Sequence, residues 1–424
     1  MNGTENQILR LHDPLIVKEG ERYYCFSTDT DMEGVQMSVS DDLINWKPHR
    51  PALAEIPPEV VRHTGRVPAG PRAGKVNFWA PDVVCGASGS GGASTGGEYR
   101  LYFCSSQFGL AQSMIGLAAG AAIDGPYQYR GCVLKTYHTG HGYDSPNAID
   151  PCVARDRDGS PYLAYGSFFG GIYITPLDAD GFPAKPGYGT CIAGGNHTPV
   201  EGAYILYDGE GDRLCLFLSY GSLTRDYQIR VAYSKNIDGP YTDSAGREMT
   251  NLDPILKPGD KIAGGYNFDL PGADGFMAPG HNSLLLLDDG WYMVHHIRRE
   301  GVLDPSYLHI RKVFFSPKRQ VFVSPFVGVA SGESLAESSL TGTFSVIRHD
   351  PFNNGVTYGR KVDVTDLNLR LDGGGGLHQR CGLHQRCSLR LYDTDYEGVM
   401  FAQGGAVYFS AISEDGECIW GRSI

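Results

Sequence analysis

The feature that most narrows the fold is a plan that the chain states five times. It consists of a polar residue, an apolar strand, a tight turn, an aromatic-rich strand and a further strand. The first statement runs HDPLIVKEGERYYCFST into GVQMSVSDDLINW, and the second is APDVVCGAS, EYRLYFCSS and SMIGLAAGAAIDGPY. The third is IDPCVARDRDGSPYLAYGSF with GGIYITPLD, and the fourth is EGAYILYDGEGDRLCLFLSYGS with YQIRVAYSKNIDGPY. The fifth is GHNSLLLLDDGWYMVHHIR with YLHIRKVFF. Val, Ile, Tyr and Phe favour strands, and the DG, GG, GE and PG pairs between them mark turns. A repeat of roughly 50–80 residues with this content is a loop-decorated four-stranded blade, which buries its faces only by stacking on its neighbours. Five blades suffice to close a ring. The chain therefore reads as all-β, a five-bladed β-propeller over residues 1–330. Only PPEVVRH, residues 57–63, reads as a helix, with prolines at its start.

After SPFVGVA, near residue 330, the plan stops. GTFSVI, SLRLYD, GVMFAQ, AVYFSAI and CIWGRSI alternate like strands with one exposed face. Residues 331–424 are expected to form a small antiparallel β-sandwich or barrel-like accessory domain that covers the side of the propeller. No apolar run approaches the ~20 residues that cross a bilayer, so no membrane partner is expected. A formal charge of −12 argues against a nucleic-acid partner and is compatible with a neutral substrate. Cysteines such as Cys25, Cys104 and Cys215 sit singly inside apolar strands, the pattern of buried thiols rather than of a disulfide scaffold. The opening MNGTENQILR lacks a basic start followed by an apolar core, from which a cytoplasmic location is expected. A monomer is expected as well.

In a propeller the innermost strands surround the axis and their leading ends open on one face. The residues heading those strands are Asp13, Asp82, Asp150, Glu201 and His281. Repeat positions converge in a ring, so groups far apart in sequence would face one central cleft. For any one carboxylate, a local turn hydrogen bond is the competing reading. Asp82, which follows Ala-Pro, is expected to hold backbone amides instead of facing the cleft.

These segments resemble glycoside hydrolase family 43, and within it the endo-α-1,5-L-arabinanases. The matching motifs are HDP at 12–14, FWAPDV at 78–83, NAIDP at 147–151, YGSFFGGIY at 165–173, VEGAYI at 200–205, IRVAYSKNIDGPY at 229–241 and PGHNS at 279–283. Their order covers the first ~330 residues, and the fold of the family agrees with the propeller read from the repeats. The resemblance implies an inverting glycosidase acting on arabinan or arabino-oligosaccharides, with Asp13 as general base, Glu201 as general acid and Asp150 as third acid. Inversion needs a base on one side of the sugar and an acid on the other, ~6.5–9.5 Å apart, with water between. An ionised Asp150 is expected to raise the pKa of Glu201 by like-charge repulsion. His281 in PGHNS matches a family histidine that contacts a hydrated calcium ion.

Sugar binding also needs flat apolar faces and fixed polar partners. Trp79 is the leading stacking platform. Asn147, Ser167 and His12 match family positions near the reacting sugar, and Phe169 stands where a tryptophan is frequent. An exo-acting arabinofuranosidase or β-xylosidase is the nearer alternative, and a non-catalytic glycan-binding propeller is the alternative of another class. GASGSGGASTGGE, residues 86–98, reads as a flexible low-complexity loop. LHQRCGLHQRC, residues 377–387, reads as a duplicated surface loop, since its His and Cys spacing does not match a zinc site.

Overall fold

A computed structural model describes residues 9–29, 33–85, 97–137, 145–328, 342–371 and 384–424. Residues 86–96 of the low-complexity segment and 377–383 of the duplication lie outside them. Four sheets have four strands each, in sequence order across the sheet. Their innermost strands are Leu15–Glu19, Trp79–Cys85, Cys152–Arg155 and Val200–Asp208. The fifth blade is built on Phe276–Leu287, Gly290–Arg299, Tyr307–Phe315 and Val321–Val323. Each innermost strand lies against the next, and Phe276–Leu287 returns to Leu15–Glu19, which closes the ring. Closure is tied by Leu11 N–H to Ser306 O, Leu308 N–H to Leu9 O, and Ser283 Oγ–H to Pro14 O. The short helix is Pro58–Thr64, as its prolines predict.

Local sequence explains the blades. In the first, LIVKE pairs with RYYCFS from Leu15↔Phe26 to Glu19↔Arg22, leaving the two-residue turn Gly20–Glu21. Gly20 has φ +58, a conformation that glycine adopts without steric cost. At the opposite end of each innermost strand the chain turns through a residue of positive φ. These are Asp13 (54°), Ala80 (30°), Asp150 (57°), Gly202 (63°) and Ala278 (53°). Proline follows in four blades (Pro14, Pro81, Pro151, Pro279) and Ala203 follows in the fourth.

This corner corrects the equivalence read from sequence. Only Asp13 and Asp150 occupy it; Asp82 lies two residues after Ala80, Glu201 one before Gly202 and His281 three after Ala278. The register shifts between Trp79 and Asp82, between Glu201 and Tyr204, and on both sides of Gly280. Such bulges re-aim side chains locally, so equal strand starts do not give equal side-chain positions. Asp82 has the structural role expected of it: its Oδ2 accepts the Val153 N–H at 2.6 Å and ties the second blade to the third.

The chain beyond residue 342 forms one curled, seven-stranded antiparallel sheet. It packs on the propeller through Phe401, which meets Phe314 at 6.1 Å and Phe326 at 4.9 Å between ring centroids. The buried Arg311 guanidinium lies 4.9 Å from the Trp420 ring across the same boundary. Thr357–Tyr358 also pairs in parallel with Tyr266–Asn267, which adds a strand to the sheet of the fifth blade.

Candidate active site

The corners of the first, third and fourth blades carry Asp13, Asp150 and Glu201 to one place, with His281 of the fifth blade between them. His281 Nδ1 lies 3.6 Å from Asp13 Oδ1 and 4.0 Å from Asp150 Oδ2. Its ring rests on the backbone of Gly202, where a Cβ would come within 3.0 Å of the imidazole. Glycine at 202 is thus required twice, by positive φ and by this approach.

Each carboxyl is held differently. Asp13 Oδ2 accepts Thr28 Oγ1–H at 2.5 Å, and that hydroxyl accepts Ala80 N–H at 3.0 Å. The Asp13 backbone N–H donates to His296 Nδ1 at 3.2 Å. Glu201 Oε2 accepts Ser167 Oγ–H at 2.5 Å, and Oε1 accepts the Tyr227 hydroxyl. Asp150 Oδ2 accepts Gly202 N–H at 3.2 Å, while its own N–H points to Cys104 Sγ.

Burial and charge set the protonation states. Burial, reinforced by the Asp13 charge, pushes the Glu201 carboxyl above the usual range, although the Ser167 and Tyr227 hydrogen bonds pull the other way. Asp150 is pushed well above it by burial first, then by Glu201 and Asp13. Burial leads for both carboxyls, the Asp13 charge adds to each, and repulsion between Glu201 and Asp150 acts within the pair. Burial lowers His281 and His12 below the ordinary imidazole value, against the opposing charge of Asp13, and lowers His296 well below it, which disfavours the charged form of each ring. A protonated carboxyl beside a carboxylate can give a proton on one side of a substrate and take one on the other.

The other residues picked from sequence fall around this core. His12 accepts an N–H of Arg298 at Nε2, 2.7 Å, and packs on His296 at 4.4 Å between centroids. Trp79 is half-buried and precedes Ala80, whose N–H helps hold Thr28. Asn147 is buried, with Nδ2 reaching Leu110 O at 3.5 Å and Oδ1 without a partner among the described residues. Phe169 is half-buried with its ring edge-on to His197 at 5.5 Å, so less of it is bare than a free platform would offer. Sequence reasoning missed Thr28, Tyr227, His296 and Arg298. Tyr227 stacks on His296 at 5.9 Å, and Arg298 fixes His12 while donating to Leu223 O and Leu303 O. Paired histidines in YMVHHIRR were the available signal, since polar residues inside a strand flanked by apolar ones need a buried partner.

For a metal, the tightest group of potential ligands among the described residues is His12, Asp13 and His296. Arg298 already bonds His12, and its charge opposes a cation there. Calcium takes 6–8 oxygen ligands, which no set of described side chains supplies directly. A hydrated ion fits better beside His281: burial disfavours a charge on the ring, two carboxyl groups lie near it, and the next residue, Asn282, has both amide atoms buried and without a partner among the described residues. A buried amide in that condition is one that water or an ion satisfies.

Comparison with known proteins agrees with this geometry. The pattern of Glycosyl hydrolases family 43 matches residues 6–327. The chain is 32% identical to the extracellular endo-α-(1→5)-L-arabinanase of Thermotoga petrophila, over 97% of this chain and 93% of that protein. It is 29% identical to extracellular endo-α-(1→5)-L-arabinanase 2 of Bacillus subtilis, over 97% and 92%. The crystal structure of the Thermotoga enzyme superposes with a TM-score of 0.80, covering 98% of this chain and 99% of that one. These relatives correct the cytoplasmic expectation. Both are extracellular enzymes, which points to secretion, and the residues that open this chain carry no weight against it.

Proposed function

The chain belongs to family 43 of the glycosyl hydrolases, and on that premise we propose that it hydrolyses the α-1,5-L-arabinofuranosidic bonds of arabinan and arabino-oligosaccharides with inversion. The observation that carries the reading is Glu201, a carboxyl raised above its usual range by burial, clamped by two hydroxyls and placed under the charge of Asp13. Asp13 takes a proton from water as the water oxygen bonds to the anomeric carbon. The bond from that carbon to the bridging oxygen breaks, and Glu201 gives its proton to the departing oxygen. Asp150 is a positioning residue: through Gly202 N–H it fixes the backbone next to the acid.

His12 and Ser167 hold the base and acid sides, and Asn147 Oδ1 and the faces of Trp79 and Phe169 are assigned to the sugar. A hydrated calcium ion is assigned to His281, where it would add positive charge beneath the carboxyl groups. Catalysis is assigned to residues 1–330, with 331–424 as the accessory domain. A monomeric enzyme is part of the same proposal.

Product analysis on debranched arabinan and arabinotriose, with NMR of the first-formed anomer, tests the reading. A ladder of oligosaccharides with β hemiacetal ends is expected. Release of monosaccharide alone would shift the assignment to exo action. No hydrolysis of either substrate would leave a glycan-binding propeller.

A further inference from the structure

Away from the cleft, a cavity of about 190 Å³ lies between the carboxy-terminal sheet and the loop 349–360. Among its walls are Arg348, Asp350, Asn353, Tyr358, Arg360 and Tyr392. We propose that this cavity is a second carbohydrate site, which holds one or two sugar rings of a neutral oligosaccharide while the rest of the chain remains in solvent.

Tyr392 is the first observation. With Asp393 it forms the two-residue turn inside the pair Leu391↔Thr394, at φ 47° and 65°. Such a turn prefers Asn-Gly, and a bulky residue at positive φ is strained. The residue is 67% exposed, so burial does not compensate for the strain. Strain kept at an exposed position points to a use for the side chain.

Tyr358 supplies the second face. It is 54% exposed, yet its hydroxyl donates to Glu300 and its strand pairs with Tyr266–Asn267, so the ring is presented in a fixed orientation. The loop that completes the cavity is equally fixed. Buried Lys261 donates to Asp350 O at 3.1 Å and Asn353 O at 2.6 Å, and buried Arg230 donates to Pro351 O at 2.6 Å. Rigid support of this kind lowers the entropy lost when a ligand binds.

The polar groups indicate what binds. Arg348 is already paired with Glu417 at 2.5 Å, and Arg360 shares the cavity with Asp350, so no net charge selects an anion. Among the described residues the Arg360 guanidinium has no partner, and Asp350 uses only Oδ1, for Phe352 N–H. A guanidinium and a carboxylate beside two aromatic faces suit vicinal hydroxyls above apolar C–H surfaces. The volume is below the ~300–1,000 Å³ of pockets that enclose a drug-sized ligand, which limits the occupant to a short stretch of sugar. Naming that sugar as arabinan rests on the activity proposed above; the existence of the site does not.

The test uses the full chain in an Asp13→Asn background, with affinity electrophoresis in gels containing debranched arabinan or xylan. Tyr392→Gly relieves the turn and removes the ring, so a folding defect is not expected; Tyr358→Ala removes the second face. Each should weaken retention on arabinan about tenfold, the loss expected from one aromatic contact with its buried area. In the otherwise wild-type chain, both should leave kcat/KM on arabinotriose unchanged. Equal retention of parent and variants overturns the site, as does no retention of the parent on either polysaccharide. Tyrosine-dependent retention on xylan alone supports the site and removes arabinan as its ligand. Failure of the wild type to cleave arabinan counts against the activity, a separate readout.

Discussion

Tyr227→Phe isolates the protonation of Glu201 from the shape of the site. Tyr227 is buried and donates its hydroxyl to Glu201 Oε1, while its ring stacks on His296. Phenylalanine keeps the stack and removes only the donor. A hydrogen bond to a charged group contributes about 1.5–3 kcal/mol, and this one favours the ionised form of Glu201. At 1.36 kcal/mol per unit this corresponds to roughly one to two pH units, and the lower end applies because a protonated carboxyl also accepts from the tyrosine. The sign follows. The acid must be protonated to work, so activity falls on the alkaline side as Glu201 ionises. Removing a group that favours ionisation moves that limb to higher pH by about one unit. The assay is kcat/KM on arabinotriose from pH 4 to 10, with thermal melts to confirm folding. Ser167→Ala should move the alkaline limb in the same direction, because Ser167 holds the other oxygen. An alkaline limb that stays put or moves down in both variants would refute Glu201 as the acid.

Three further predictions rest on other contacts. Burial pushes Asp82 up to about 7; its stabilising effect is full below the unfolded value of ~3.9 and is lost as pH rises through 7. Asp82→Asn does not titrate, so urea unfolding should show it gaining on wild type by up to about 4 kcal/mol between pH 4 and 8; a pH-independent difference would mean that Asp82 is ionised in the fold. Gly202→Ala, at φ +63 and with its Cβ 3.0 Å from the His281 ring, should destabilise by about 1–3 kcal/mol in thermal melts and lower kcat on arabinotriose. EDTA should lower the melting temperature of the wild type but not of His281→Ala, with calcium restoring it; no calcium by elemental analysis and unchanged melting would remove the ion.

The propeller was legible because strand-forming runs and turn pairs recur with one spacing, and each blade must stack to bury its faces. The cysteines were legible for the same reason: every described one is free, and Cys25, Cys104 and Cys215 are buried. What holds the acids was not legible. Tyr227 stands just before the apolar strand Gln228–Ser234, and Thr28 just after Arg22–Ser27, where neither is distinguishable from a residue that merely ends a strand. His295 and His296 are adjacent, and simple alternation would bury one and expose the other, yet both are buried. Period-two reasoning fails there because this strand is covered on both faces.

The blade corner explains why the repeat located Asp13 and Asp150 correctly and misplaced Asp82, Glu201 and His281. All five corners require positive φ, a conformation that costs a non-glycine residue energy and that Asp and Asn tolerate best among the rest. Where a carboxyl is wanted at the corner itself, aspartate is therefore the residue that meets both demands, hence HDP and IDP. Where no side-chain chemistry is needed there, Ala80 and Ala278 occupy it. The fourth corner must also admit the His281 ring, so it is glycine, and the carboxyl moves back one residue. There the longer glutamate side chain reaches Ser167 and Tyr227. Acid and base thus arise from one repeated corner under different steric loads. A repeat alignment that counts positions without counting φ will find Asp13 and Asp150 and slip at Asp82, Glu201 and His281.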